Sequence, residues 1–173
     1  MITLESARFV TALGELTMFA RDRALCALGF TDRRDGLVAA LERRFGRFTT
    51  HQSRDPAGAV TALTAYAQGD LAALETLEVD PGGTPFQQRV WRALREIPAG
   101  RTTSYAALAG TIGSPRAMRA VGAANGRNPI AIVIPCHRVI ASDGTLHGYG
   151  GGLERKQMLL DHERQHARLP AMA

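Results

Sequence analysis

The sequence predicts a two-domain α/β protein, with a small sheet-and-helix domain over residues 1–80 and a helical domain over residues 81–173. Three observations predict it. Two apolar runs, residues 16–20 and 25–30, flank the polar turn Arg21-Asp22-Arg23, as paired strands do. Asp80-Pro81-Gly82-Gly83 breaks the chain near its middle. Beyond it two short Ala-rich helices meet at Gly113, and the second carries arginines, the pattern of a helix-turn-helix.

Each element has a local cause. Leu13-Gly14 supplies a turn before the first apolar run. Residues 35–45 place Leu37, Leu41 and Phe45 on one helical stripe, and a second helix runs over 56–68 and stops at Gly69. The second domain opens on a strong helix start: Thr84 as N-cap, Pro85 at the first helical position and Gln87 where a capping box wants it. Phe86, Val90, Leu94 and Ile97 share a face beside Trp91 and read as core, while Arg89, Arg92 and Arg95 point elsewhere. Pro98-Ala99-Gly100 ends that helix. Thr103-Ser104 caps a short helix over 105–110. After Gly113, Ser114-Pro115 restarts a helix bearing Arg116, Met118, Arg119, Val121 and Ala124, and Asn128-Pro129 breaks it. The apolar run 130–134 suits a buried strand and delivers the chain to Pro135-Cys136-His137-Arg138-Val139. Ser142-Asp143-Gly144 is a turn, Gly148-Tyr149-Gly150-Gly151-Gly152 a flexible loop, and a last helix covers about 153–165.

The 173 residues are 45% hydrophobic and 21% charged. That is ordinary globular usage, which excludes a disordered tail, a collagen-like fibre and a coiled coil. No window of eighteen apolar residues appears, and the first residues lack the layout of a signal peptide, so a cytoplasmic protein away from membranes is expected. Charge divides unevenly. Residues 1–80 hold 9 basic and 11 acidic side chains, a balance of −2, while 81–173 hold 12 and 5, a balance of +7. Lys156 is the sole lysine, and the arginine fork suits phosphate and base contacts. The second domain therefore reads either as a polyanion-binding face or as a solvated basic one.

Cys26 and Cys136 are too few for a disulfide framework, and neither a Cys-x-x-Cys nor a His-x-x-x-His spacing that would build a zinc site is expected, so neither a disulfide nor a zinc site is expected. Cys26 lies in an apolar run and reads as a small buried hydrophobe. Cys136 is different, because it ends an apolar run beside His137 at a proline-fixed turn. A thiol attacks only as thiolate, so a neighbour must take its proton or stabilise the anion. Glu163 in the last helix is a candidate to orient a histidinium. On these residues alone an inert buried cysteine beside an exposed histidine is the favoured reading.

A resemblance separates the two. Pro135-Cys136-His137-Arg138-Val139, preceded by Asn128-Pro129 and the apolar run, resembles the active-site signature of the O6-alkylguanine-DNA alkyltransferases, or methylated-DNA–protein-cysteine methyltransferases. The resemblance spans nearly the whole chain. It takes in Gly83-Thr84-Pro85-Phe86-Gln87-Gln88-Arg89-Val90-Trp91, Thr103-Ser104-Tyr105, Arg119-Ala120-Val121-Gly122 and Gly148-Tyr149-Gly150-Gly151-Gly152-Leu153. It also includes the hairpin at Leu13-Gly14-Glu15-Leu16-Thr17.

The resemblance implies a ribonuclease-H-like first domain and a winged-helix-like second one. It implies that Cys136 takes the alkyl group from guanine O6, and less efficiently from O4-alkylthymine, in one irreversible displacement without a cofactor. His137 would link Cys136 through a water to Glu163. Tyr105 would donate to guanine N3 and press on the phosphate backbone. Asn128 would tie the helix-turn-helix to the active-site turn, and Val139, Tyr149 and Gly150 would line the base pocket. Arg119 would fill the gap left by a flipped nucleotide, with Ser104, Arg116, Ala120 and Gly122 at the DNA. The expected partner is double-stranded DNA carrying alkylated guanine, held through its minor groove by a monomer, with cooperativity on DNA left open. Such binding needs no sequence preference, as the charge of +7 fits.

Three departures accompany the match. Ala99 replaces an aromatic common in the Ile-Pro-x-Gly turn, His147 stands before the loop glycine, and Gly150 leaves a roomier pocket. A non-catalytic lesion-recognition relative would lack the cysteine. A transcriptional regulator would need sequence-specific contacts, and a cysteine hydrolase an oxyanion hole that no motif supplies.

Overall fold

The computed structural model describes residues 1–167 and divides them into two compact units, Met1–Gly82 with Pro129–Val133, and Gly83–Asn128 with the chain from Ile134 onward. The short return of Pro129–Val133 to the first unit breaks the simple division of the sequence near residue 80.

In the first unit β1 (Ile2–Thr11), β2 (Gly14–Arg21) and β3 (Ala24–Phe30) form an antiparallel meander. The turn between β2 and β3 holds Asp22 and Arg23 at φ 50° and 72°, the twist a two-residue hairpin requires. After α1 (Arg34–Phe45), β4 (Phe48–Gln52) pairs parallel to β1, giving the order β3-β2-β1-β4. No expectation covered β4. Thr49, Thr50, His51 and Gln52 are all exposed, so the strand shows no apolar alternation and owes its existence to its ladder with β1. Leu41 of α1 packs with Leu4, Phe19, Cys26 and Ala27, and Leu37 and Phe45 border this cluster as their stripe predicts. The helix α2 (Ala59–Ala67) buries Leu63 and Tyr66 and follows a short turn at Pro56–Gly58.

The run 130–134 is buried as expected but is not a strand. Ile130 makes one bridge to Leu28, after which the Val133 N–H bonds back to Ala131 O at 2.8 Å. Between them Ile132 sits at φ 70°. A β-branched residue in that region costs about 1–3 kcal/mol. Burial was legible in the run of apolar side chains; backbone direction was not.

In the second unit α3 (Pro85–Arg95) begins with the expected capping box. Gln87 N–H donates to Thr84 Oγ1 at 3.2 Å and Thr84 N–H to Gln87 Oε1 at 2.9 Å, satisfying two orphan donors. Val90, Trp91 and Leu94 are buried, and the Trp91 indole N–H donates to Ala124 O at 2.9 Å. Gly83, at φ 81°, lies so close to the Trp91 ring that a Cβ there would fall 2.6 Å from it. Two residues of β5 (Thr103–Ser104) lead into α4 (Tyr105–Thr111), whose N-cap Ser104 Oγ accepts from Ala107 N–H at 3.0 Å. The next helix, α5 (Met118–Gly126), starts later than expected. Ser114 O accepts from Ala117 N–H at 2.8 Å, closing a turn that leaves Arg116 ahead of the helix rather than on it. A two-residue β6 (Val139–Ile140) pairs parallel with β5, and α6 (Leu153–Ala167) ends the described chain.

Candidate active site

The site is built on a single turn of 3-10 helix, Cys136–Arg138, that follows Pro135 and runs directly into β6. This turn resolves the direction problem of neighbours in a strand, whose side chains face opposite ways. Cys136 is 7% exposed and His137 is fully buried. Asn128, at the end of the helix-turn-helix, donates from Nδ2 to Ile134 O at 2.7 Å and also hydrogen-bonds the thiol. Burial pushes the thiol above its ordinary value, while the Asn128 amide, the Lys156 charge and the backbone N–H groups of Cys136 and His137 pull it down. Burial prevails, so the resting group is a thiol surrounded by donors that favour its anion.

Behind it lies a buried charged cluster. Glu163 of α6 approaches His137, with Oε1 2.8 Å from Nε2. Arg138 donates through Nε to Glu163 Oε2 at 2.9 Å and through Nη2 to Oε1 at 2.8 Å, and its Nη1 reaches Ile97 O. Gly100 N–H adds a bond to Oε2 at 3.3 Å. Burial works against charge on Glu163, but the bonds from His137 and Arg138 outweigh it and hold the carboxyl well below the usual carboxylate range. Burial pushes His137 down against the pull of Glu163, so the imidazole is neutral. A carboxylate can only accept, which places the proton on Nε2 and the lone pair on Nδ1. That Nδ1 is buried with no hydrogen-bond partner among the described residues.

Two phenols and an ammonium complete the surroundings. Tyr105 opens α4 and donates to His147 O at 3.4 Å. Burial, with a smaller contribution from Cys136, raises its pKa and keeps it a proton donor. Burial raises Tyr149 further, and its hydroxyl is buried without a partner among the described residues. Lys156 is fully buried, donating to Val139 O at 2.6 Å and His147 O at 3.0 Å. Burial lowers its pKa, and interaction with Cys136 opposes the shift. Val139 is buried, whereas Gly150 is exposed and a Cβ there would meet nothing within 4 Å.

Of the remaining expected positions, Arg116, Arg119 and Ala120 are exposed together before and along the start of α5, with Met118 48% exposed beside them. The Ser104 hydroxyl is engaged as the N-cap of α4. Gly122 faces inward instead: a Cβ there would lie 3.8 Å from the Tyr105 ring, in ordinary contact with it.

Three features went unread in the sequence. Lys156 drew notice only as the sole lysine, because one cation in a polar helix looks solvated. Arg138 was read as part of a motif, not as a ligand of Glu163. His147 was noted only as a departure before the loop glycine, yet its backbone carbonyl is what Tyr105 and Lys156 hold. Among the described residues no cluster of three metal-binding side chains occurs, and no helix is long and apolar enough to cross a membrane. Contrary to expectation, one His-x-x-x-His spacing does occur, at His162 and His166.

Residues 85–165 match the family described as 6-O-methylguanine DNA methyltransferase, DNA binding domain. The methylated-DNA–protein-cysteine methyltransferase of Salmonella typhimurium is 46% identical over 94% of this chain and 97% of that protein. The crystal structure of Mycobacterium tuberculosis O6-methylguanine methyltransferase shares 40% identity with a TM-score of 0.73, covering 98% of this chain and 96% of that one. A crystal structure of the Mycobacterium tuberculosis OGT in complex with DNA also matches at 40% identity and a TM-score of 0.72, over 95% and 94%. With a relative this similar along almost the entire length of both proteins, the chain belongs to the methylated-DNA–protein-cysteine methyltransferase family.

Proposed function

We propose that this protein repairs DNA by direct reversal, moving the alkyl group of O6-alkylguanine, and less efficiently of O4-alkylthymine, onto Cys136. The observation that carries the reading is the buried thiol of Cys136 in a nest of donors beside the His137–Glu163–Arg138 cluster. The Sγ–carbon bond forms as the carbon–O6 bond breaks. The thiol proton passes, through a water, to Nδ1 of His137, where Glu163 stabilises the imidazolium across a 2.8 Å contact. Tyr105, kept protonated by burial, donates to guanine N3 as the base becomes a leaving group. No nearby group can reverse a thioether, so each molecule acts once. Val139, Tyr149 and Gly150 border the base, and the open space at Gly150 supports tolerance of bulky adducts.

A thiol this buried cannot meet a base that remains stacked. The nucleotide must leave the duplex, at a cost of roughly a few kcal/mol. Arg119, exposed on α5, would take its place, with Arg116, Ala120 and Ser104 against a narrow minor groove read by shape. The working protein is a monomer of the cytoplasm. The test is a titration of duplex carrying O6-methylguanine with protein in single-turnover conditions. Repair that stops at one lesion per protein supports the reading, and repair continuing past that ratio refutes it.

A further inference from the structure

His147 follows β6 on the loop that leads to Tyr149 and Gly150, and its backbone and side chain are held by separate partners. The carbonyl accepts from the Tyr105 hydroxyl at 3.4 Å and from Lys156 Nζ at 3.0 Å. The same ammonium donates to Val139 O at 2.6 Å, so Lys156 closes the base of the loop. Asp143 closes its tip: Oδ1 accepts from Thr145 N–H at 3.0 Å and from the Thr145 hydroxyl at 2.7 Å. Across the same turn Ala141 N–H donates to Thr145 O at 3.1 Å and Gly144 N–H to Ala141 O at 2.9 Å. Between tip and base stands the His147 ring, with Nε2 2.7 Å from Thr145 Oγ1. The bonds from Thr145 hold the Asp143 carboxyl below its usual range, which leaves it an acceptor alone. The one hydroxyl proton of Thr145 points to that carboxylate, so Oγ1 accepts from His147 and Nε2 carries the proton. Donation runs in one direction, from His147 through Thr145 to Asp143.

We propose that His147 is a positioning residue for alkyl transfer: its side chain, anchored through Thr145 on Asp143, sets its own backbone carbonyl where Tyr105 and Lys156 converge. The inference rests on the reading of Cys136 as the acceptor. Tyr105 has one hydroxyl proton, so donating to guanine N3 means releasing His147 O. From that moment the loop carrying Tyr149 and Gly150 is held by Lys156 and by the chain from His147 to Asp143. A loop drifting by about 1 Å would displace both the ammonium that favours the Cys136 anion and the residues bordering the base, and misplacement on that scale slows a reaction. The imidazole therefore acts on the chemistry without touching the base or the thiol.

The test measures single-turnover transfer from duplex carrying O6-methylguanine, duplex affinity, and amide exchange over residues 141–152 in the full-length protein. His147→Ala and Thr145→Val should each lower the saturating rate by about three- to tenfold, leave duplex affinity unchanged and speed exchange across the loop. His147→Gln, which keeps a donor near the place of Nε2, should recover most of the rate. The double variant should be no slower than the slower single one, because both substitutions cut the same chain. His51→Ala, exposed on β4, should react as the parent does. Single variants at the parent rate, a glutamine variant as slow as the alanine one, or losses that multiply in the double variant would overturn the proposal. A parent that transfers nothing would remove the reading of Cys136 instead. Loop exchange then decides the anchor by itself, faster exchange in His147→Ala supporting it and unchanged exchange refuting it.

Discussion

Cys26 and Cys136 are both buried, 1% and 7% exposed, and burial pushes both thiols above their ordinary value. Cys26 lies in β3 among Leu4, Phe19 and Leu41, and its sulfur donates only a long 3.7 Å bond to Ala24 O. The neighbouring Asp80 raises its pKa further, while the Arg44 and Arg21 charges and the Arg21 backbone N–H pull it down. Cys136 sits in a helical turn with an amide, an ammonium and two backbone N–H groups turned toward it, ahead of a buried histidine and carboxylate. Exposure does not distinguish the two. Nor do nearby cations; what differs is a buried histidine and carboxylate beside Cys136 that can receive its proton.

The largest expected break in this comparison is Cys136→Ala, which should abolish alkyl transfer while leaving DNA binding intact. Cys26→Ala should leave the transfer rate within about twofold, since it removes one sulfur from a packed core and no charge. Both are read by transfer of label from methylated duplex. Equal losses would end the distinction between the two thiols.

Glu163→Gln should come next, slowing transfer by about a hundredfold through loss of the group that steadies the imidazolium. It also leaves Arg138 buried without its charge partner, at a stability cost of about 3 kcal/mol in denaturant unfolding. The native Glu163 pKa is depressed, so its stabilisation is present above the unfolded value near pH 4.3 and fades as pH falls through the folded value. The stability gap between parent and variant should therefore narrow in acid. A gap independent of pH would mean that Glu163 acts by packing.

Arg119→Ala sharpens the DNA half of the account. Repair in duplex should slow by about tenfold or more, as a flipped base loses its stand-in, while reaction with free benzylguanine stays within about twofold. Equal slowing on both substrates would remove Arg119 from the flipping step. A smaller, severalfold slowing at neutral pH is expected from Lys156→Met, because the thiol loses a charge that pulls it down. Because the Cys136 proton moves to His137 within the site, the parent rate should fall in acid as His137 protonates and stay level between the ordinary imidazole and thiol values of 6.5 and 9.0. A rate that keeps climbing across that range would show that the thiol proton leaves to solvent and not to His137.

Legibility in the sequence followed the range of the interaction. The capping box at Thr84 and Gln87, the β2–β3 hairpin and the Leu37-Leu41-Phe45 stripe are set by residues a few positions apart, and the structure has them as expected. Cys136 and His137 stood out as a motif, and Glu163 could be named because the last helix was visible. The strand β4 was invisible, its cause being the hydrogen bonds of β1 forty-six residues away. The turn through Ile132 hid behind side chains that look like a strand. Lys156 and Arg138 take their meaning from carbonyls and a carboxylate that only the fold brings near, so nothing local marks them.

The central claim is that Cys136 alone is the acceptor. Its most direct test is intact mass followed by peptide mapping, after incubation with duplex DNA carrying O6-methylguanine. The account predicts one added methylene per chain, confined to the peptide holding Cys136, with the Cys26 peptide unmodified. Methylation of Cys26, or lesion DNA bound with neither cysteine modified, would contradict it.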